Sequence, residues 1–448
     1  MFKIKTITLS LLALLLVMSF ASCASDTTSD LPLPSKDMKA YLQVKVTVDG
    51  SGDTRASRAA TEPQGGEEGN GREPGINKEN DVNSLTVLLY NSDKDDLSDD
   101  NAIIDYVYTF TNLNKVTTSS GSDATYTTVP KEIDAAIVGK NYHVIVIANA
   151  DDMTSRCKGK ISEVRDLQMS KVCTRDADIT NFSNFIMSSK EDAMIDFTKE
   201  GSETNPYQVT VDIERLAARI DIIPNATFDG TSKGYYYNVM DGTNVVGGFK
   251  LESVTPTKVM TKGEYLIKRV SSDKAVPAVT YFGVEAKDAD NKATNYVVCP
   301  WTKDRTGLTL SNAEGPTSLY NVKKTTSTST TDPSYILDYV MENTTTDNDE
   351  VHSTGLIFKG KYYEETEWDK TTKRPTATAK GTDKEYTYTL RHSDPSGSGT
   401  TADPMHFGVV RNNIYQVKVD GVEGKSKGLK LTINVRKWAT YTHEETKM

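Results

Sequence analysis

The chain has 448 residues, a net charge of −10 at pH 7 and only four cysteines. With 37% hydrophobic and 25% charged residues and 22 tyrosines, it carries enough apolar material to build cores and lacks the make-up of a disordered chain. The acidic balance, without a basic stripe, argues against a nucleic-acid partner, and the few cysteines exclude a disulfide scaffold.

The chain opens MFKIK, with Lys3 and Lys5, followed by an apolar run over residues 9–20 and the small residues ASCAS. This is the three-part layout of a secretory signal. The run is shorter than the about 20 residues that a membrane-spanning helix needs, and no other stretch approaches that length. The segment SFASC resembles a bacterial lipobox, which makes Cys23 the expected lipidation site and residues 1–22 a lipoprotein signal peptide. About 425 residues follow, a length that suits two domains plus linkers. Of the other cysteines, Cys157 and Cys173 lie nearest each other, and both a disulfide between them and free thiols are open; Cys299 is the third.

Residues 40–48, AYLQVKVTV, predict a strand, and residues 49–81 are rich in Gly, Glu, Asn and Pro with almost nothing apolar to bury. SLTVLLY (84–90), IIDYVYTF (103–110) and NYHVIVIANA (141–150) predict strands, the last apolar on both faces and therefore central. ISEVRDLQM (161–169) carries Ile161, Val164 and Leu167 at helical spacing and predicts one short helix. A domain boundary is expected near residues 201–208. In YQVTVDIERLAARIDIIP (207–224) the apolar parity switches at Glu214 and Arg215, which predicts a β-bulge; a short helix over ERLAAR competes with it. Arg215 and Arg219 are expected to pair with acids or to cap the bent strand. Further strands are predicted at 247–254, 294–301, 354–364, 385–391, 413–421 and 429–438, separated by long Ser/Thr/Asp/Gly loops. Many strands and few helices mean mostly-β sandwiches.

The five histidines, His143, His352, His392, His406 and His443, form no zinc spacing, and there is no G-x-S-x-G, P-loop or G-x-G-x-x-G. The acidic run from Asp93 has Ser98 where a calcium loop needs glycine and Ile104 where it needs glutamate. No local motif singles out a catalytic carboxylate pair. No catalytic residue, metal or cofactor is therefore expected.

The two ends of the chain match each other. Leu42, Val44, Val46 and Val48 share one face of the opening strand, and Leu429, Leu431, Ile433 and Val435 share one face of the closing strand. Both are half-buried strands with four aliphatic anchors at every second residue, able to fill the same kind of groove. A domain that lost such a strand would expose an apolar trench and unpaired edges, a template for a strand from another chain.

The lipobox at Cys23, the strand followed by an Arg-bearing loop, VTVDIERLAARIDI, and above all FGVVRNNIYQVKVDGVEGKSKGLKLTINVRKW resemble the fimbrillins of Bacteroidales, the subunits of type V pili. The closing segment, ending in Trp438, is similar to the C-terminal region of the major subunit of short fimbriae. The resemblance covers about a third of the chain. It implies two transthyretin-like β-sandwich domains in tandem. It also implies an exported lipoprotein, cut by an arginine-specific protease after Arg55 or Arg58, with Arg55 favoured and Arg72 third. The first strand then leaves, and the terminal strand of a neighbouring copy, Leu429, Leu431, Ile433 and Val435 with Trp438 at its end, takes its place. The implied layout is propeptide 23–55, N-terminal domain 56–205 and C-terminal domain 206–448. The implied partners are other copies of the chain, accessory fimbrial subunits, the protease, the outer membrane through the precursor's lipid, and host or bacterial surface receptors. The expected function is a structural pilus subunit that supports adhesion; the alternatives are an anchor or tip adhesin, or a monomeric glycan-binding surface lipoprotein.

Overall fold

The first described strand, β1 (Ala40–Val48), alternates buried and partly exposed side chains along its length, as its sequence alternates aliphatic and polar residues. A computed structural model describes residues 39–48, 72–74, 77–91, 101–116, 124–165, 167–175, 182–189, 193–198, 201–226, 228–229, 234–260, 263–266, 268–270, 279–281, 310–311, 317–318, 323–324, 335–344, 353–391, 408–424 and 428–439. The expected signal, Cys23, Arg55, Arg58, Cys299 and the strand expected at 294–301 lie outside these residues.

The protein is mostly β. Among the described residues the principal strands of the first half are β1, β2 (Arg72–Pro74), β3 (Leu85–Tyr90), β4 (Ile103–Phe110), β5 (Leu113–Val116), β6 (Thr125–Thr128), β7 (Lys131–Ile133), β8 (Asn141–Ala148), β9 (Met187–Ser189) and β10 (Tyr207–Arg215). All of these except β2 belong to one sheet, eleven-stranded among the described residues, in the order β5-β6-β1-β10-β9-β8-β3-β4 along its main path. As expected, β8 is interior and buried on both faces: its residues 142–148 are all buried, and β3 and β9 flank it. Helix α1 (Ile161–Arg165) is the expected short helix, and it buries Ile161 and Val164.

The second sheet has twelve strands among the described residues. Its long members are β11 (Ala217–Ile223), β12 (Gly234–Asp241), β13 (Asn244–Thr257), β14 (Tyr335–Met341), β15 (Gly355–Glu364), β16 (Thr382–Thr389), β17 (Asn413–Glu423) and β18 (Gly428–Ala439). Its main order is β14-β11-β17-β12-β13-β15-β16, with β18 also paired to β17. A separate hydrophobic core belongs to this sheet, built around Ile220, Tyr237, Phe249, Phe358 and Val417. The result is a two-domain β-sandwich protein.

The passage between the sheets is sharper than a bulge. β10 runs to Arg215, Leu216 breaks the ladder, and β11 begins at Ala217. The parity switch in the sequence therefore marks a strand changing sheets, and neither the bulge nor the competing helix forms there. Strand Tyr207–Arg215 hydrogen-bonds in the first sheet and Ala217–Ile223 in the second.

Candidate functional site

β1 lies inside its sheet, not at an edge. It pairs parallel with β10, Leu42 opposite Tyr207 through Val48 opposite Ile213, and antiparallel with β6 and β7 on its other side. Parallel neighbours need a crossover, and here 158 residues separate the end of β1 from the start of β10. Leu42, Val44, Val46 and Val48 are all 0% exposed and belong to the first core. Each such side chain stabilises the strand in its groove by about 1.5–3 kcal/mol. Lys45 is exposed on the opposite face, and a Lys39–Glu132 ion pair at 3.1 Å lies at the start of the strand.

The neighbouring ladder on one side of β1 is irregular. β6 pairs Thr127 with Lys45, whereas β7 pairs Lys131 with Leu42, so three residues, Thr128, Val129 and Pro130, face only two, Gln43 and Val44. That is a β-bulge, and Pro130 has no N–H to offer. The Val44 amide donates to the Thr128 hydroxyl at 2.9 Å, while the Thr128 carbonyl accepts from Gln43 Nε2 at 3.0 Å. Gln208 Nε2 in turn donates to Gln43 Oε1 at 3.2 Å.

The terminal strand β18 pairs antiparallel with β17: Leu429 is opposite Val422, Leu431 opposite Val419, Ile433 opposite Val417 and Val435 opposite Tyr415. Leu429 and Leu431 are partly buried against the second core. The end of the strand has a second neighbour. β2 runs parallel to it, with Arg72 beside Lys437 and Glu73 beside Trp438. The backbone at Arg72 is thus held in a ladder.

Residues 77–80 lie at the junction between the sheets. Glu79, 0% exposed, receives two hydrogen bonds from Arg219 Nη1 at 3.1 and 3.2 Å and one from the Tyr339 hydroxyl. Arg219 also grips Asp221 in a two-pronged pair at 2.8 and 3.0 Å. Burial lowers the Arg219 pKa, but the charges of Asp221 and Glu79 outweigh it and the net shift is upward. Arg215 donates to the Glu79 carbonyl, to Asn80 and to Asn412. Arg219 pairs with acids as expected, whereas these contacts of Arg215 are to neutral oxygens. The sequence hides Glu79 and Tyr339 as partners, because they lie 140 and 120 residues from Arg219.

Other expected sites stay apart from this geometry. Cys157 and Cys173 are free, buried thiols; burial pushes Cys157 up to about 11 and Cys173 to about 12. His143 is buried and stacks on Tyr90. Among the described residues no group of three or more His, Cys, Asp or Glu side chains could hold a metal. Trp368 is 4% exposed and lies between Tyr236 and Tyr363, so it offers no open platform for a sugar ring.

A two-domain β protein whose first strand lies inside its sheet is the class that the fold defines. Residues 40–244, from β1 into the second sheet, match the family described as "Major fimbrial subunit protein (FimA)", and the fimbrillin resemblance is shown over that stretch. Among solved structures, the chain is similar to a candidate cell adhesion protein from Parabacteroides distasonis ATCC 8503, at 16% identity and a TM-score of 0.47, over 90% of this chain and 99% of that one. It is also similar to the tip fimbrial protein Mfa3 from Porphyromonas gingivalis with a C-terminal truncation, at 14% identity and a TM-score of 0.40, over 90% of this chain and 100% of that one. A fimbrilin from Porphyromonas gingivalis W83 is similar at 15% identity and a TM-score of 0.40, over 90% of this chain and 98% of that one. No curated protein sequence matches.

Proposed function

We propose that this chain is a structural subunit of a cell-surface fimbrium that supports adhesion, exported as a lipoprotein on Cys23. Cleavage after Arg55 or Arg58 frees β1, and the β18 strand of the next copy, anchored by Leu429, Leu431, Ile433 and Val435 with Trp438 at its end, replaces it. The family match over residues 40–244 supports the fimbrial part. The observation that carries the rest is β1 itself: an interior strand with four fully buried anchors, supplied by the first 48 residues and joined onward through the arginine-bearing segment. Its removal would open a trench between β10 and β6/β7 with unpaired edges on both sides, which is a receptor for a strand. β18 carries the same alternation, and it pairs with β17 off the main path of its sheet, from which it can be exchanged without opening the middle of that path.

N-terminal sequencing of filaments sheared from cells tests the proposal. A start at Ala56 or Ala59 is expected, and a lipid-blocked Cys23 on polymerised subunits overturns processing and favours an anchor. Deleting residues 429–448 should leave export intact and abolish polymerisation; normal filaments from that variant exclude β18 as the donor.

A further inference from the structure

The bulge opposite Gln43 and Val44 does more than bend a strand. A uniform antiparallel ladder lets a strand slide by two residues, because every second position offers the same pair of backbone groups and the same face. Here the ladder is interrupted at one place. The Val44 amide has a side-chain hydroxyl as its acceptor, Thr128 Oγ1 at 2.9 Å, where Val48 further along has the Ala124 carbonyl at 3.0 Å. Thr128 is 1% exposed, so water does not substitute for it. Its displaced carbonyl is taken by the Gln43 side chain, which Gln208 of β10 holds from the other side. Three strands are thus tied across one position, and Pro130 beyond it donates nothing to an incoming strand.

We propose that Thr128, with Gln208, is the register lock of this groove, fixing which residue of an occupying strand sits at the place of Val44. The proposal rests on strand exchange for its second half: in the terminal strand the matching residue is Leu431. Leu429, Ile433 and Val435 then fall at the places of Leu42, Val46 and Val48. Lys430 falls at Gln43, and its ammonium donors suit the acceptor left behind, the Thr128 carbonyl. A shift of two residues keeps the aliphatic face but puts Ile433 or Leu429 on the hydroxyl and moves Lys430 off the Thr128 carbonyl.

The full-length precursor tests the first half. Hydrogen exchange is followed at the Val44 and Val48 amides in the native chain and in Thr128→Ala and Thr128→Ser. Thr128→Ala should speed Val44 exchange about tenfold or more relative to Val48, as loss of a buried acceptor requires, and Thr128→Ser should restore it. Equal acceleration at both amides, or no acceleration, overturns the lock. The second half uses precursor nicked by an arginine-specific protease, with displacement of the β1 fragment by a synthetic peptide of residues 428–439. N-methylation at Leu431 should weaken displacement about tenfold in the native protein but less than about threefold in Thr128→Ala, whereas N-methylation at Ile433 should cost the same in both. Coupling at Ile433 or Leu429 instead overturns the register. A peptide that never displaces β1 overturns strand exchange by this segment, while the precursor's exchange pattern still decides the lock on β1.

Discussion

Arg219 holds a full positive charge where almost no water reaches: its side chain is 1% exposed, and the carboxylates of Glu79 and Asp221 are both 0% exposed. Such a triad survives only because each charge has its partners, and removing one member strands the others. Arg219→Met is therefore expected to destabilise the chain by about 3–5 kcal/mol, read from urea unfolding midpoints, and Arg219→Met combined with Glu79→Gln should recover part of that loss. Additive losses in the double variant would show that the two side chains do not interact. The local sequence displays half of this arrangement. Arg219 and Asp221 are two apart on one strand and so share a face, which is legible without a structure. Glu79 looks like one more acid in a polar linker, because the feature that distinguishes it is its burial between two sheets. Thr128 is equally unmarked; only the neighbouring Pro130 hints at an irregular strand.

The strands themselves are the most legible part. β1, β4 and β8 fall where alternation and β-branched composition put them, and β18 begins and ends within a residue of its expected bounds. Alternation also yields a contrast to measure. Leu42→Ala should cost about 2–5 kcal/mol in the precursor, since it deletes fully buried methyl groups, while Lys45→Ala three residues on should stay within about 0.5 kcal/mol. Equal effects in urea unfolding would mean that β1 is not seated as described. The parity switch at Glu214 and Arg215 is visible but ambiguous: a bulge, a short helix and a strand crossing between sheets all shift the apolar phase by one residue. The crossing wins because Met187, Ser188 and Ser189 of β9 occupy the partners of β10 up to Arg215, and Met341 of β14 and Asn412, just before β17, receive Ala217 immediately after. Trp368 shows the same limit. It packs over Gly248, whose added Cβ would lie 2.0 Å from the ring, and no pattern near residue 368 announces that glycine.

Both domains share a vulnerability to alkali. Burial pushes Tyr108 and Tyr126 in the first domain, and Tyr363 and Tyr386 in the second, from 10.0 up to about 12. The folded chain therefore keeps these phenols neutral where the unfolded chain ionises them. Their contribution is complete below pH 10 and drains away as pH rises towards about 12. Unfolding midpoints in urea should be level from pH 8 to about 10 and fall beyond it, with a shallower fall in Tyr126→Phe. A midpoint that stays level to about pH 12 would contradict the burial of these rings.

Sequence alone sufficed for the mostly-β class, the two-domain length, the interior character of β8 and the matched apolar faces at the two ends. Those properties follow from composition and from a period of two, which any strand must display along its own length. Three things came from the folded chain: that β1 lies between β10 and β6/β7, that Thr128 and Gln208 meet Gln43 and Val44, and that Glu79 closes the junction beside Arg219. These are pairings across 78 to 165 residues. No local pattern encodes such a pairing, because each partner satisfies its own strand or turn equally well without the other. Long-range burial selects one pairing among many that local rules permit.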